Sequence, residues 1–157
     1  MRKITEKTSL PIKIIKAVTL VLSAVYCLFM PAMTGAGLLY NHRSYGAELT
    51  RVGAFFIISA VLMTASALMC IFKKKICSIL SIVFSSSGAV LCLAMLRKLC
   101  IHADKSGWSD KFTMEQISRM YERRILPCIL PVMLIIAVSA VQLSQKSDSD
   151  SDYTSIV

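Results

Sequence analysis

The chain has 157 residues, 55% of them hydrophobic and 17% charged, with a formal net charge of +9 and a mean hydropathy of +0.65. A water-soluble domain of this size needs more polar surface than that composition supplies, so an ordinary soluble fold is excluded and a membrane protein is indicated. The basic excess sits at the edges of apolar runs with no base-reading or stacking motif beside it, which disfavours nucleic acid and leaves membrane lipid as the anionic partner.

Residues 1–13 form a basic N-terminal segment carrying Arg2, Lys3, Lys7 and Lys13. The first apolar run follows at 14–33, "IIKAVTLVLSAVYCLFMPAM". It has the about 20 residues that a helix needs to cross a hydrocarbon core of about 30 Å. Its apolar stretch is too long for the core of a signal peptide, so a retained first span is expected. Pro31 removes a backbone donor near its far end.

Loop one, "TGAGLLYNHRSYGAELTR", supplies Tyr40, His42, Arg43, Tyr45, Glu48 and Arg51. The second span is expected at 52–72, with Gly53, Ala60 and Ala67 at heptad spacing and Thr64 beside them. Lys73, Lys74 and Lys75 then mark a tight turn whose charge orients the chain and touches acidic headgroups. The third span, 76–96, carries Ser78, Ser81, Ser85, Gly88 and Cys92 at alternating three- and four-residue steps. Apolar side chains gain little by leaving lipid, so helices there associate through small residues and polar contacts. The second and third spans are therefore expected to pack as an antiparallel pair along these two stripes. A solute track lined by the serines is the less favoured reading.

Loop three holds Cys100, His102, Asp104, Trp108, Asp110, Glu115 and Glu122. It includes "TMEQ", a capping box in which Thr113 and Gln116 open a short amphipathic helix that can lie on the membrane surface, the favoured reading, or run into the fourth span. The fourth span, 125–143, has Pro127 and Pro131 in its first turns, where irregular backbone is expected. Residues 144–157 are polar, acidic and low in complexity, the composition of a disordered tail.

The expected architecture is thus all-α, a polytopic membrane protein with a bundle of four transmembrane helices. An even number of spans puts both termini on one side. Lysines and arginines divide equally between the two sides, so orientation rests on the first span, which favours a cytoplasmic N-terminus. Loops one and three share the opposite face, and His42, Arg43, Glu48, His102, Asp104, Trp108 and Asp110 make it the candidate functional surface. No spacing there matches a metal site, and no cofactor or catalytic motif is expected. Five of the six cysteines fall within or at the ends of spans, where Cys serves as a small apolar residue, and no CxxC pair exists. The leading expectation is a non-enzymatic accessory or regulatory subunit that contacts other membrane proteins or further copies of itself. A small oligomeric transporter or channel is second, and an enzyme working on the loop face third.

Overall fold

The computed structural model describes residues 2–72, 74–106 and 117–154, with side chains from residue 13 to 144 apart from 16, 28, 73 and 107–122. Every regular element among them is helical: α1 (Arg2–Cys27), a π-helix (Leu28–Ala32), α2 (Met33–Tyr40), α3 (His42–Met69), α4 (Lys75–Lys105) and α5 (Ile117–Thr154). Four stretches are long and apolar enough to cross a membrane: Lys13–Tyr40, His42–Met69, Lys75–Lys105 and Arg123–Ser144. α4 packs against α3 on one side and α5 on the other, and α1 touches both α3 and α5, so the four long helices close into a ring.

The helices extend well beyond the expected spans. Loop one is almost entirely helical, since α2 runs to Tyr40 and α3 begins at His42. Asn41 makes the single-residue break, donating from both its backbone N and its Nδ2 to Gly37 O, at 3.2 and 3.0 Å. One turn later Gly46 takes φ 77°, a left-handed conformation that only glycine adopts freely, and kinks the start of α3. Thr50 Oγ1 donates to the Gly46 carbonyl at 2.8 Å and occupies the acceptor at that kink. Leu38, Leu39, Ala47, Glu48, Leu49 and Arg51 are good helix formers, and helix forms on both sides of the Asn41 break.

In loop three the helical segment runs into the fourth apolar stretch, the second of the two courses expected for it, rather than standing apart on the surface. From Ile117 the chain is one continuous helix into the fourth apolar stretch, because no breaker stands between 117 and 126. Thr113 and Gln116 lie outside the described residues, as does Lys73. At the other end α5 continues through Thr154, so residues 144–154 are helical where a disordered tail is expected from composition. Pro127 and Pro131 both sit inside α5 without ending it. At Pro31 the expected irregularity takes the form of a π-helical turn, which coincides with the missing donor.

The interior is built from small, sulfur-bearing and hydroxylated side chains around a few large ones. Phe56, Leu49, Met63 and Ile135 are fully buried, together with Ser59, Ser66, Ser81, Ser85 and Ser139. Many large aliphatic and aromatic residues face outward, among them Phe29, Val21, Val61, Val90 and Leu126. Small residues set the closest approaches. A Cβ on Gly88 would stand 2.8 Å from Met63 Cγ, so α4 crosses α3 with backbone against side chain. Ser59 Oγ donates to the Gly88 carbonyl at 2.8 Å across that contact. Gly53 does not serve the α3–α4 pair. It meets Gly35 and Leu38 of α2, because the short α2 folds back onto the start of α3 and takes that groove.

Candidate functional site

One end of the bundle carries the residues of loops one and three, and the opposite end carries the Lys74 turn. At the first end, His102 on α4 and Glu48 on α3 meet, with Nδ1 3.9 Å from Oε2. This contact joins the two segments expected to share one face. His42 stays local, its Nδ1 3.2 Å from the Leu39 carbonyl. Arg43 and Asp104 are exposed, and Trp108 and Asp110 lie outside the described residues. No group of three or more His, Cys, Asp or Glu side chains suited to a metal ion occurs among the described residues. The Glu48 carboxylate is largely open to solvent, where an ion pair contributes between nothing and about 1 kcal/mol. Glu48→Gln is therefore expected to change the unfolding free energy by less than about 1 kcal/mol. Thermal unfolding of the purified protein in low salt checks this, and a larger loss would show the pair to be an organising contact.

A second constellation sits inside the bundle, built by three helices. Cys27 and Tyr26 come from the last turn of α1, Cys92 from the middle of α4 and Cys128 from α5. All four are buried, and Cys92 and Cys128 have no exposed surface. The Tyr26 hydroxyl is 3.8 Å from Cys92 Sγ. Of the neighbouring hydroxyls, Ser59 donates to the Gly88 carbonyl and Thr64 to the Ala60 carbonyl, each at 2.8 Å. The π-helix begins directly after Cys27, and Cys27 and Thr64 also line an apolar groove of about 360 Å³ with Ile57, Ala60, Val61 and Leu68.

A third cluster lies toward the Lys74 end and is composed of hydroxyls and one amide. Ser139 on α5 donates to Ser81 Oγ at 3.3 Å, and Ser81 donates to the Ser66 carbonyl at 2.9 Å. Gln142 bridges the ends of two helices. Its Nε2 donates to the Cys70 carbonyl at 3.2 Å, and its Oε1 accepts from Ser78 at 3.0 Å. Ser85 donates locally to the Ile82 carbonyl at 3.0 Å. Two hydroxyls of α1, Thr19 and Ser23, are buried without a partner among the described residues.

The sequence reading names the serine stripe but omits both the thiol cluster and Gln142. No local spacing links Cys27, Cys92 and Cys128, since each belongs to a different helix. The available signal is depth. Each lies within about two turns of the same end of its expected span, so three thiols share one level of an antiparallel bundle. Chemically, the loop face offers a weak ion pair, and the hydroxyl cluster offers helix adhesion. No protein family, curated protein or solved structure matches this chain.

Proposed function

We propose that this chain is a four-span integral membrane protein, with both termini cytoplasmic, that acts as a non-enzymatic accessory or regulatory subunit. It works through helix and loop contacts with other membrane proteins or with further copies of itself. One observation carries this reading: four of the interior serine hydroxyls join one helix to another, while many large apolar side chains face outward. Ser59, Ser81, Ser139 and Ser78 each donate to another helix, an arrangement suited to adhesion in lipid rather than to lining a path. The outward faces carry Val21, Val61, Val90, Phe29 and Leu126, which suit acyl chains or a neighbouring helix.

The orphan hydroxyls of Thr19 and Ser23 favour the second reading, a small transporter, because unpartnered polar groups are what a solute path requires. Two measurements separate the readings. In-membrane crosslinking followed by affinity purification is expected to yield a stoichiometric membrane-protein complex or a discrete homo-oligomer. Purified protein in liposomes is expected to move no solute or ion faster than empty vesicles. Sustained flux by the protein alone would overturn the subunit reading.

A further inference from the structure

We propose that the two buried hydroxyls of α1, Thr19 and Ser23, hold a bound water molecule inside the bundle. The inference rests on the inner face of α1 and holds whether the chain is a subunit or a transporter. Eight serine and threonine side chains are buried among the described residues. Six of them are satisfied by the protein: four donate to another helix, and Ser66 and Ser85 donate to carbonyls of their own. Thr19 and Ser23 are the two without a partner among the described residues. They stand one turn apart on one face of α1, 1% and 0% exposed. Helical geometry does not force this. A serine or threonine within a helix satisfies itself by donating to the carbonyl three or four residues back. This chain uses that bond repeatedly, from Ser66 to Met63 at 2.7 Å, Ser85 to Ile82 at 3.0 Å and Thr64 to Ala60 at 2.8 Å. Thr19 and Ser23 have carbonyls at the same offsets behind them and donate to none.

A buried hydroxyl left unpaired is costly, and two in succession call for a third party between them. Side chains one helical turn apart have Cβ atoms about 5–6 Å from each other, a gap that one water closes with a hydrogen bond to each hydroxyl. A helix carbonyl has two lone pairs and spends one on the helix, so the same turn offers the water the third partner that buried waters usually have. The ligand is neutral. The four apolar runs contain no Asp, Glu, His or Arg, so a cation between α1 and its neighbours α3 and α5 would meet no counter-charge. Two hydroxyls that both donate and accept match water, which does the same.

The test uses the full chain, isotope-labelled and reconstituted in lipid bilayers, observed by magic-angle spinning NMR. Magnetisation transferred from water protons is expected to reach the Cβ signals of Thr19 and Ser23 and not that of Ser85, which is equally buried but bonded to Ile82. Thr19→Val keeps the shape of the side chain and removes its hydrogen bonding. It is expected to lower the thermal midpoint by about 2–4 °C, the loss of one hydrogen bond in a chain of this size. An apolar group relieves a dry orphan hydroxyl, so an unchanged or raised midpoint would overturn the proposal. Water transfer no stronger at Thr19 and Ser23 than at Ser85 would do the same, and this wild-type readout does not depend on any variant's folding. Exchange of chloride for gluconate is expected to leave the midpoint where it is. A chloride-dependent midpoint that Thr19→Val abolishes would put an anion in place of the water and overturn the assignment.

Discussion

Replacing Gly35 with leucine is expected to cost this protein more stability than any other single change on the α2–α3 contact. A Cβ on Gly35 would stand 2.7 Å from the Gly53 carbonyl oxygen and 3.0 Å from two side-chain carbons of Ile57. The reverse holds as well: a Cβ on Gly53 would lie 2.9 Å from Leu38 Cβ and 3.0 Å from the Gly35 carbonyl oxygen. The two carbonyl oxygens are backbone atoms, and they cannot rotate out of the way as a side-chain tip does. The helices must part, at an overpacking cost of about 1–3 kcal/mol or more. Alanine at the same position recovers about 1 kcal/mol of helix propensity relative to glycine, so Gly35→Ala is the milder variant. Gly37 is the internal control, with nothing among the described residues within 4 Å of the place its Cβ would take. Gly37→Ala is therefore expected to be neutral or to stabilise by up to about 1 kcal/mol. Thermal unfolding in detergent should rank the three variants Gly37→Ala, Gly35→Ala, Gly35→Leu in falling order. An unchanged transition for Gly35→Leu would mean that α2 does not fold back on α3.

That contact shows where sequence reasoning stopped. The four apolar runs were legible because a helix that crosses hydrocarbon needs a length that nothing else in a short chain requires. The Ser78, Ser81, Ser85, Gly88 and Cys92 stripe was legible because small residues recurred at helical spacing, and all five are buried in α4. Their partners were not. Gly53 has the same letter and the same heptad position whether it faces α2 or α4, and only the return of the eight-residue α2 decides the matter. Boundaries failed for a related reason. Composition separates apolar from polar residues but not helix from coil, so loop one, the segment from Ile117 and residues 144–154 all read as non-span and all continue as helix. The thiol cluster was hidden because its members come from three helices, and convergence of that kind is a property of bundle order rather than of spacing. The Glu48–His102 contact was half legible, since even-numbered topology puts loops one and three on one side without saying which side chains meet.

The second large effect is expected at the opposite end of the bundle, where one amide holds three helices. The Cys70 carbonyl belongs to the end of α3, where carbonyls have no intrahelical donor and need another source. Gln142 of α5 supplies it through Nε2, and the same amide accepts from Ser78 in the first turn of α4. The turn between α3 and α4 is thus pinned from outside by a residue far along the chain. Gln142→Leu keeps the volume and removes both bonds, leaving the Cys70 carbonyl without this donor. Loss of a buried partner costs about 1–3 kcal/mol, whereas a hydrogen bond between helices in lipid averages about 0.6. The first figure applies here if the turn excludes water, and the second if the carbonyl finds a replacement donor in lipid or solvent. A cycle of Gln142→Leu, Ser78→Ala and the double variant isolates the side-chain pair, with an expected coupling of about 0.5–1.7 kcal/mol. Maleimide labelling reports the same event locally. Cys70 is buried beneath this bridge, and Ser139 Oγ approaches its sulfur at 3.9 Å. Once Gln142 no longer closes the turn, Cys70 should label faster, while Cys92 and Cys128, near the other end, should not change. Equal labelling of Cys70 in both proteins, with additive free energies in the cycle, would show that the turn is held by the α3–α4 contact alone.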